Sequence, residues 1–270
     1  LGIGQKAIGF AGTKDKRALT TQYFSVMAQE RKIEEIKLEN VNIEFCHHTI
    51  KPIRLGNLIG NKFTIKISDV TTNKKDIESL IDELKDGFPN YFGIQRFGAI
   101  RPITHTIGKK IVKGDYEGAV WSYLSDGDEK FSGFEARKDL KETRDLDSAL
   151  ENYPRSMLFE RQMIGYLTRK KEDYIGALKQ LPENLSKMFV HAYQSAIFNR
   201  TIDMRINSGK SIHIPLIGDN VIPTDSYGGP DQRRIIKVTK YNQKKLEKRC
   251  HEGKAWVVGL LPGMKSEYTN

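Results

Sequence analysis

The sequence predicts an α+β chain in two parts, and three observations carry the prediction. Up to about residue 70, short alternating runs rich in β-branched and aromatic residues are separated by glycine turns. Over 103–125, 155–180 and 184–207 apolar residues recur at helical spacing, and the last sixty residues return to short apolar runs broken by Pro and Gly. The change of character lies between residues 105 and 120, which sets an expected first domain of 1–115 and a second of 116–270.

Residues 5–28 read as strand, turn, strand, the second run being Ala18 to Met27, rich in Thr and aromatics. Lys32 to Asn40 is charged and reads as a surface connection or a short helix, and residues 41–50 alternate as a strand. Gly56 and Gly60 bracket a tight turn. After it, Phe63, Ile65 and Ile67 face one way and Lys62, Thr64 and Lys66 the other, the pattern of a half-buried strand with a basic outer face. Ile77, Leu80, Ile81 and Leu84 make the apolar stripe of a helix over 74–86, with Asn73 as its N-cap. Phe88 to Gly98 is a loop dense in aromatics. Residues 103–125 and 155–180 read as helical with loops between. Phe189, Tyr193 and Ile197 mark one face of the longest helix, 184–207, ended by Ser208-Gly209. Short strands are expected at 212–219, at Val221 to Pro223, and at Ala255 to Gly263.

The chain of 270 residues carries 44 Lys and Arg against 34 Asp and Glu, a net charge of +10, with 38% hydrophobic residues. That is a soluble globular composition whose charge favours a polyanionic partner such as nucleic acid. Two cysteines, Cys46 and Cys250, form no Cys-x-x-Cys pair, which argues against a disulfide framework or a Cys-rich zinc site and for a reducing compartment, the cytoplasm. No apolar run approaches the roughly 20 residues of a membrane span, and no signal-peptide pattern is visible. The six histidines show no metal spacing. A phosphate-binding loop, a Gly-x-Ser-x-Gly elbow and a dinucleotide fingerprint are all missing.

Chemistry concentrates in two places. Gly9 to Ala18 sets one carboxylate, Asp15, among Lys14, Lys16 and Arg17, after a short apolar run. Flanking cations hold a carboxylate ionised and attract phosphate. Asp15 is then either a locked ion pair in a turn or a reactive oxygen beside a polyanion. In Asn90-Tyr91-Phe92-Gly93-Ile94-Gln95-Arg96-Phe97-Gly98, the Asn90 amide can both donate and accept, as the edge of a uracil requires. Phe92 or Tyr91 can stack on a flipped base, and Arg96 can hold a phosphate. The plainer reading of these aromatics is a helix-to-loop junction packed in the core. The eight Lys and Arg from Arg233 to Arg249 can track a phosphate backbone, but Lys244, Lys245 and Lys248 read first as a solvated helix face. Lys109, Lys110 and Lys113 pose the same choice.

Gly12-Thr13-Lys14-Asp15-Lys16-Arg17-Ala18 with Thr20-Thr21-Gln22 resembles the signature of the TruD family of tRNA pseudouridine synthases. Leu55-Gly56, Gly60-Asn61-Lys62-Phe63, Asn90 to Gly98 and Ala192-Tyr193-Gln194-Ser195-Ala196-Ile197-Phe198-Asn199 match further blocks in the same order, and Leu260-Leu261-Pro262-Gly263 is a fifth, weaker match. The blocks span almost the whole chain, in a style more archaeal or eukaryotic-like than bacterial.

The resemblance implies isomerisation of uridine to pseudouridine in tRNA, typically at tRNA position 13, with no cofactor and no metal. It implies a pseudouridine-synthase catalytic domain built on a mixed, mostly antiparallel sheet, with an inserted α/β domain that helps clamp tRNA. It places the catalytic aspartate on Asp15, the substrate-contacting asparagine on Asn90 and the neighbouring aromatic on Phe92. Beside the resemblance, charge and position alone assign Lys14, Lys16, Arg17 and Arg96 to holding flanking phosphates. The family pattern also has an early strand before the catalytic block and a late return to the catalytic sheet, each with a pocket aromatic. Neither is found between Leu1 and Asn270, so residues are expected beyond both ends, and a fragment lacking both strands is expected to be inactive. Two rival functions stay open: a non-catalytic RNA-binding protein, and a glycosylase that releases the base.

Overall fold

The structure, a computed structural model, describes residues 2–130, 132–231, 233–263 and Ser266. It divides into two compact units, Leu1–Thr71 and Thr72–Asn270, and its helices and small antiparallel sheets make it an α+β fold.

In the first unit β1 (Ile8–Phe10) pairs antiparallel with β2 (Phe24–Val26), Gly9 opposite Ser25, and α1 (Glu30–Glu34) follows. The strand-turn-strand reading of 5–28 is met, with shorter strands. A third stretch of backbone crosses the pair. The Ile53 N–H donates to Ser25 Oγ at 2.8 Å and the Gly56 N–H to the Ala11 carbonyl at 2.8 Å. Gly9 makes room for this crossing, since a Cβ there would lie 2.6 Å from Ser25 Oγ and would overlap the Ile53 carbonyl oxygen. Gly56, at φ +88°, turns the crossing chain back.

Two expected strands do not form. Residues 42–50 and 62–67 lie outside any ladder, Val41 making one isolated bridge to Leu38. Phe63, Ile65 and Ile67 are each at least 70% exposed. Alternation tells which residues would share a face but supplies no partner strand, and among the described residues none pairs with this segment. The unit is organised by strand pairing and backbone staples, with no buried apolar cluster among its described residues.

The second unit begins with α2 (Lys74–Glu83), prolonged by a 3-10 turn at Leu84–Asp86. As expected, Asn73 caps it, accepting from the Asp76 N–H at 3.0 Å. Its apolar stripe is not buried, Leu80 and Ile81 each being 55% exposed. After the loop at 87–103 come α3 (Thr104–Val112), α4 (Tyr116–Ser125), α5 (Phe134–Thr143), α6 (Leu146–Asn152), α7 (Leu158–Arg169), α8 (Tyr174–Leu178) and α9 (Glu183–Asn207). Asp115, Asp145 and Asp173 cap α4, α6 and α8, each accepting from first-turn amides. Gly209, at φ +70°, ends α9. Its N–H donates to the Ile206 carbonyl and that of Lys210 to the Arg205 carbonyl, a Schellman closure. The core of these helices is formed by Ile107, Val120, Leu124, Leu140, Met163, Ile164, Leu167 and Phe189. Thus α3 and α4, on either side of residue 115, pack together.

A buried polar cluster crosses this core. Arg137 pairs with Glu160 at 2.6 Å and donates to the Tyr123 and Leu124 carbonyls at the end of α4. Arg101 donates to the Tyr123 and Asp126 carbonyls. Together the two guanidiniums satisfy carbonyls that α4 leaves open at its C-terminus. Burial, then repulsion from Arg137, pushes Arg101 down to about 10, still cationic at neutral pH. Burial pushes the Tyr123 and Tyr153 phenols up to about 12.

The last described elements form a three-stranded antiparallel sheet, order β4-β3-β5, from β3 (Asn220–Pro223), β4 (Ile236–Lys237) and β5 (Ala255–Val258), with α10 (Gln243–His251) before β5. Val221, Val238, Leu246 and Ala255 form a second small core. The strand expected over 212–219 is instead a loop. Arg205 gathers it with a bidentate pair to Asp219, 2.8 Å on each arm, and hydrogen bonds to the Ser211 and Ile214 carbonyls.

Candidate active site

The candidate residues fall into two groups, one in each unit. In the first, the turn that carries Asp15 leaves β1 at Phe10. It is held at its base by the Gly56–Ala11 hydrogen bond and farther along by Lys14, whose ammonium donates to Asn61 Oδ1. Three sequence blocks that lie up to 50 residues apart therefore meet: the Asp15 turn, Leu55-Gly56 and Gly60-Asn61. Thr13 to Thr20 are all exposed. Among the described residues, no cationic side chain lies within 4 Å of the Asp15 carboxylate and it makes no hydrogen bond. Of the two readings of Asp15, the locked ion pair is not what the geometry shows. Lys14 is engaged by Asn61, while Lys16 and Arg17 are exposed.

In the second unit the loop 87–103 is tied down from both ends. Gly98, at φ +101°, allows the chain to fold tightly onto Arg101. A Cβ there would lie 3.0 Å from the Arg101 carbonyl carbon and 3.0 Å from Thr104 Oγ1. The Thr104 N–H reaches back to the Phe97 carbonyl, and Phe97 meets His105 edge-on at 5.2 Å. Upstream, α9 supplies the anchors. Asn199 accepts from the Phe92 N–H and donates to the Phe92 carbonyl, both at 2.9 Å. Phe198 meets the Phe92 ring edge-on at 5.4 Å, and the Arg96 guanidinium lies 5.2 Å from that ring on its own loop. Tyr91 donates its hydroxyl to Asp203 at 2.6 Å, a bond that raises the phenol's pKa. Asn90 is exposed, and among the described residues its amide has no partner.

Phe92 is thus half-buried, wedged between Phe198 and Arg96, whereas Asn90 and Arg96 face solvent. The last two sequence blocks join the same patch: Gln194 donates to the Pro262 carbonyl at 2.6 Å, and Gly259 sits against Phe198, where a Cβ would come within 2.7 Å of the ring. Asn199, Asp203 and Asn61 hold the two groups in place, and sequence reasoning assigned none of them a role. The signal the sequence offers for Asn61 and Asn199 is their place inside the blocks Gly60-Asn61-Lys62-Phe63 and Ala192 to Asn199.

The basic run at 233–249 is divided among β4, a loop and α10. Lys244, Lys245 and Lys248 are exposed, Arg233 pairs with Asp231 at 3.0 Å, and Lys240 lies over Tyr241. Lys110 is structural, donating to the Gly118 carbonyl and Ser122 Oγ. Among the described residues no helix is long and apolar enough to cross a membrane.

The family model for tRNA pseudouridine synthase D (TruD) matches residues 1–270. A relative from Methanococcoides burtonii, named "Probable tRNA pseudouridine synthase D", is 39% identical over 99% of this chain and 63% of its own length. A relative of the same name from Methanosarcina acetivorans is 38% identical over 100% of the chain and 63% of its own. The crystal structure of a Methanosarcina mazei protein described as "Putative tRNA pseudouridine synthase D (TruD)" superposes with a TM-score of 0.88 at 37% identity, over 100% of this chain and 64% of that one. The chain spans somewhat under two thirds of the length of these relatives. By sequence and by fold, this chain belongs to the tRNA pseudouridine synthase D (TruD) family.

Proposed function

We propose that the protein isomerises uridine to pseudouridine in tRNA, at tRNA position 13, with Asp15 as the catalytic carboxylate. The reaction breaks the N1–C1′ bond, rotates the uracil and joins C1′ to C5. The proton on C5 leaves and N1 ends protonated, so no atom is gained or lost. A carboxylate serves either route, attacking the sugar or base covalently or taking a proton in an elimination. Both need an ionised oxygen open to a nucleotide. The observation that carries the proposal is the Asp15 turn: an exposed carboxylate with no intramolecular partner among the described residues, flanked by three cations.

Asn90 is assigned to the uracil edge, which presents donor and acceptor side by side, as a carboxamide does. Phe92 lines the base pocket, and Lys14, Arg17 and Arg96 contact phosphates around the extruded nucleotide. The net charge of +10 suits recognition by backbone and shape. Residues 1–115 are assigned to the catalytic domain and 116–270 to the inserted domain, a functional division distinct from the packing boundary after Thr71.

The test is to incubate the intact protein with uridine-labelled tRNA and chromatograph the nucleosides. Pseudouridine in place of uridine at one position supports the proposal. Free uracil would identify a glycosylase, and unchanged nucleosides with retained tRNA binding would identify a non-catalytic RNA-binding protein.

A further inference from the structure

We infer that Asn199 is a positioning residue for the base-contacting loop, setting the backbone register of Phe92 and through it the orientation of Asn90. The inference rests on the reaction proposed above. The loop has no regular structure at Pro89–Gly93, within which its own main chain makes one hydrogen bond, Tyr91 N–H to the Pro89 carbonyl, so Phe92 depends on support from outside the loop. Asn199 provides it by closing a two-hydrogen-bond ring on the main chain of Phe92, 2.9 Å in each direction. A carboxamide closes both bonds at once, accepting from the N–H through its oxygen and donating to the C=O of the same residue through its nitrogen. An aspartate supplies only acceptors, and its second oxygen would face the Phe92 carbonyl.

The surroundings reinforce the same register. One residue before Asn199, Phe198 meets the Phe92 ring; one turn after it, Asp203 takes the Tyr91 hydroxyl. Phe198 is itself backed by Gly259, just beyond β5, whose missing side chain leaves room for the ring. Main chain, ring and neighbouring phenol are all fixed from α9, while the side chain immediately upstream, Asn90, is left exposed with its amide uncommitted among the described residues. A fixed backbone beside a free amide is the arrangement that presents that amide to a ligand in one orientation.

The test is a double-mutant cycle on kcat at saturating tRNA, run with amide exchange on the same proteins. N199A and N199D are each expected to lower kcat about ten- to a hundredfold, N199A more, with KM for tRNA changed less than about threefold. In an Asn90→Ala background, adding N199A is expected to lower kcat by less than about twofold further, because the amide it positions is already gone. Effects that multiply, or an N199A enzyme with the wild-type kcat, would overturn the inference. Exchange of the Phe92 N–H is expected to speed up at least about tenfold in N199A while that of α3 holds steady. Equal protection of Phe92 would overturn the clamp even if the wild-type protein made no pseudouridine, an outcome that by itself refutes only the proposed reaction.

Discussion

Gly108 sits where α3 crosses α9, and replacing it by alanine gives a result whose sign is diagnostic. A Cβ at this position would overlap the Phe189 carbonyl oxygen, lie 2.6 Å from the carbonyl carbon and 3.1 Å from the Tyr193 Cβ. The obstacle is backbone, so no rotamer change relieves it, and the two helices must part by about 1 Å to restore normal carbon contacts. Forced overpacking of this kind costs about 3 kcal/mol. Alanine is a better helix former than glycine by about 1 kcal/mol, which leaves a net loss of about 2 kcal/mol. In a unit of this size that lowers Tm by roughly 4–8 °C. Far-UV circular dichroism melts of the wild type and Gly108→Ala measure it directly. Helix propensity alone would raise Tm by a few degrees, so an unchanged or higher melting temperature refutes the close crossing. Because α9 carries Phe198, Asn199 and Asp203, the shift should also reduce turnover.

Three other outcomes are expected. Arg137→Met strands the nearly buried Glu160 carboxylate and takes one of two donors from each of the Tyr123 and Leu124 carbonyls, so urea denaturation should show a loss of about 3–5 kcal/mol, much of it restored by adding Glu160→Leu. Burial lowers the pKa of His105, whose buried Nδ1 has no partner among the described residues, so protonation opposes folding. Stability should hold above the unfolded-state value of about 6.5 and fall as the pH drops from there towards the lower folded value, a slope in Tm between pH 7 and 5 that His105→Phe should flatten. Arg17→Gln should weaken tRNA binding and lower the slope of log affinity against log salt by about 1, measured by filter binding, whereas an unchanged slope would remove Arg17 from the phosphate contacts.

Local signals in the sequence were reliable where the structure depends on local chemistry. The Asn73 cap, the Gly209 stop of α9 and the pairing of β1 with β2 follow from side-chain chemistry and spacing within a few residues. The segments 42–50 and 62–67 carry an equally clear alternation, yet no ladder forms, because a strand is defined by a partner that its own residues do not encode. The helices at 134–143 and 146–152 went unread, their apolar spacing diluted by charges and each spanning only two to three turns. In the candidate site, Asp15 and Asn90 could be singled out by their chemistry and by the family resemblance. Asn61 and Asn199 stand inside matched blocks, but their partners, like that of Asp203, could not be read, since each acts on a residue at least 47 positions away. Such contacts emerge only when the chain has folded.

The central claim is that the Asp15 carboxylate performs the chemistry. It is tested most directly by Asp15→Asn, which keeps the size and polarity of the side chain and removes its charge. With tRNA carrying tritium at uridine C5, each turnover releases one tritium to solvent as C5 takes up the glycosidic bond. Release by Asp15→Asn is expected to fall by at least about a thousandfold, with tRNA affinity within about twofold of wild type. Release within about tenfold of wild type would contradict it and move the reactive oxygen elsewhere.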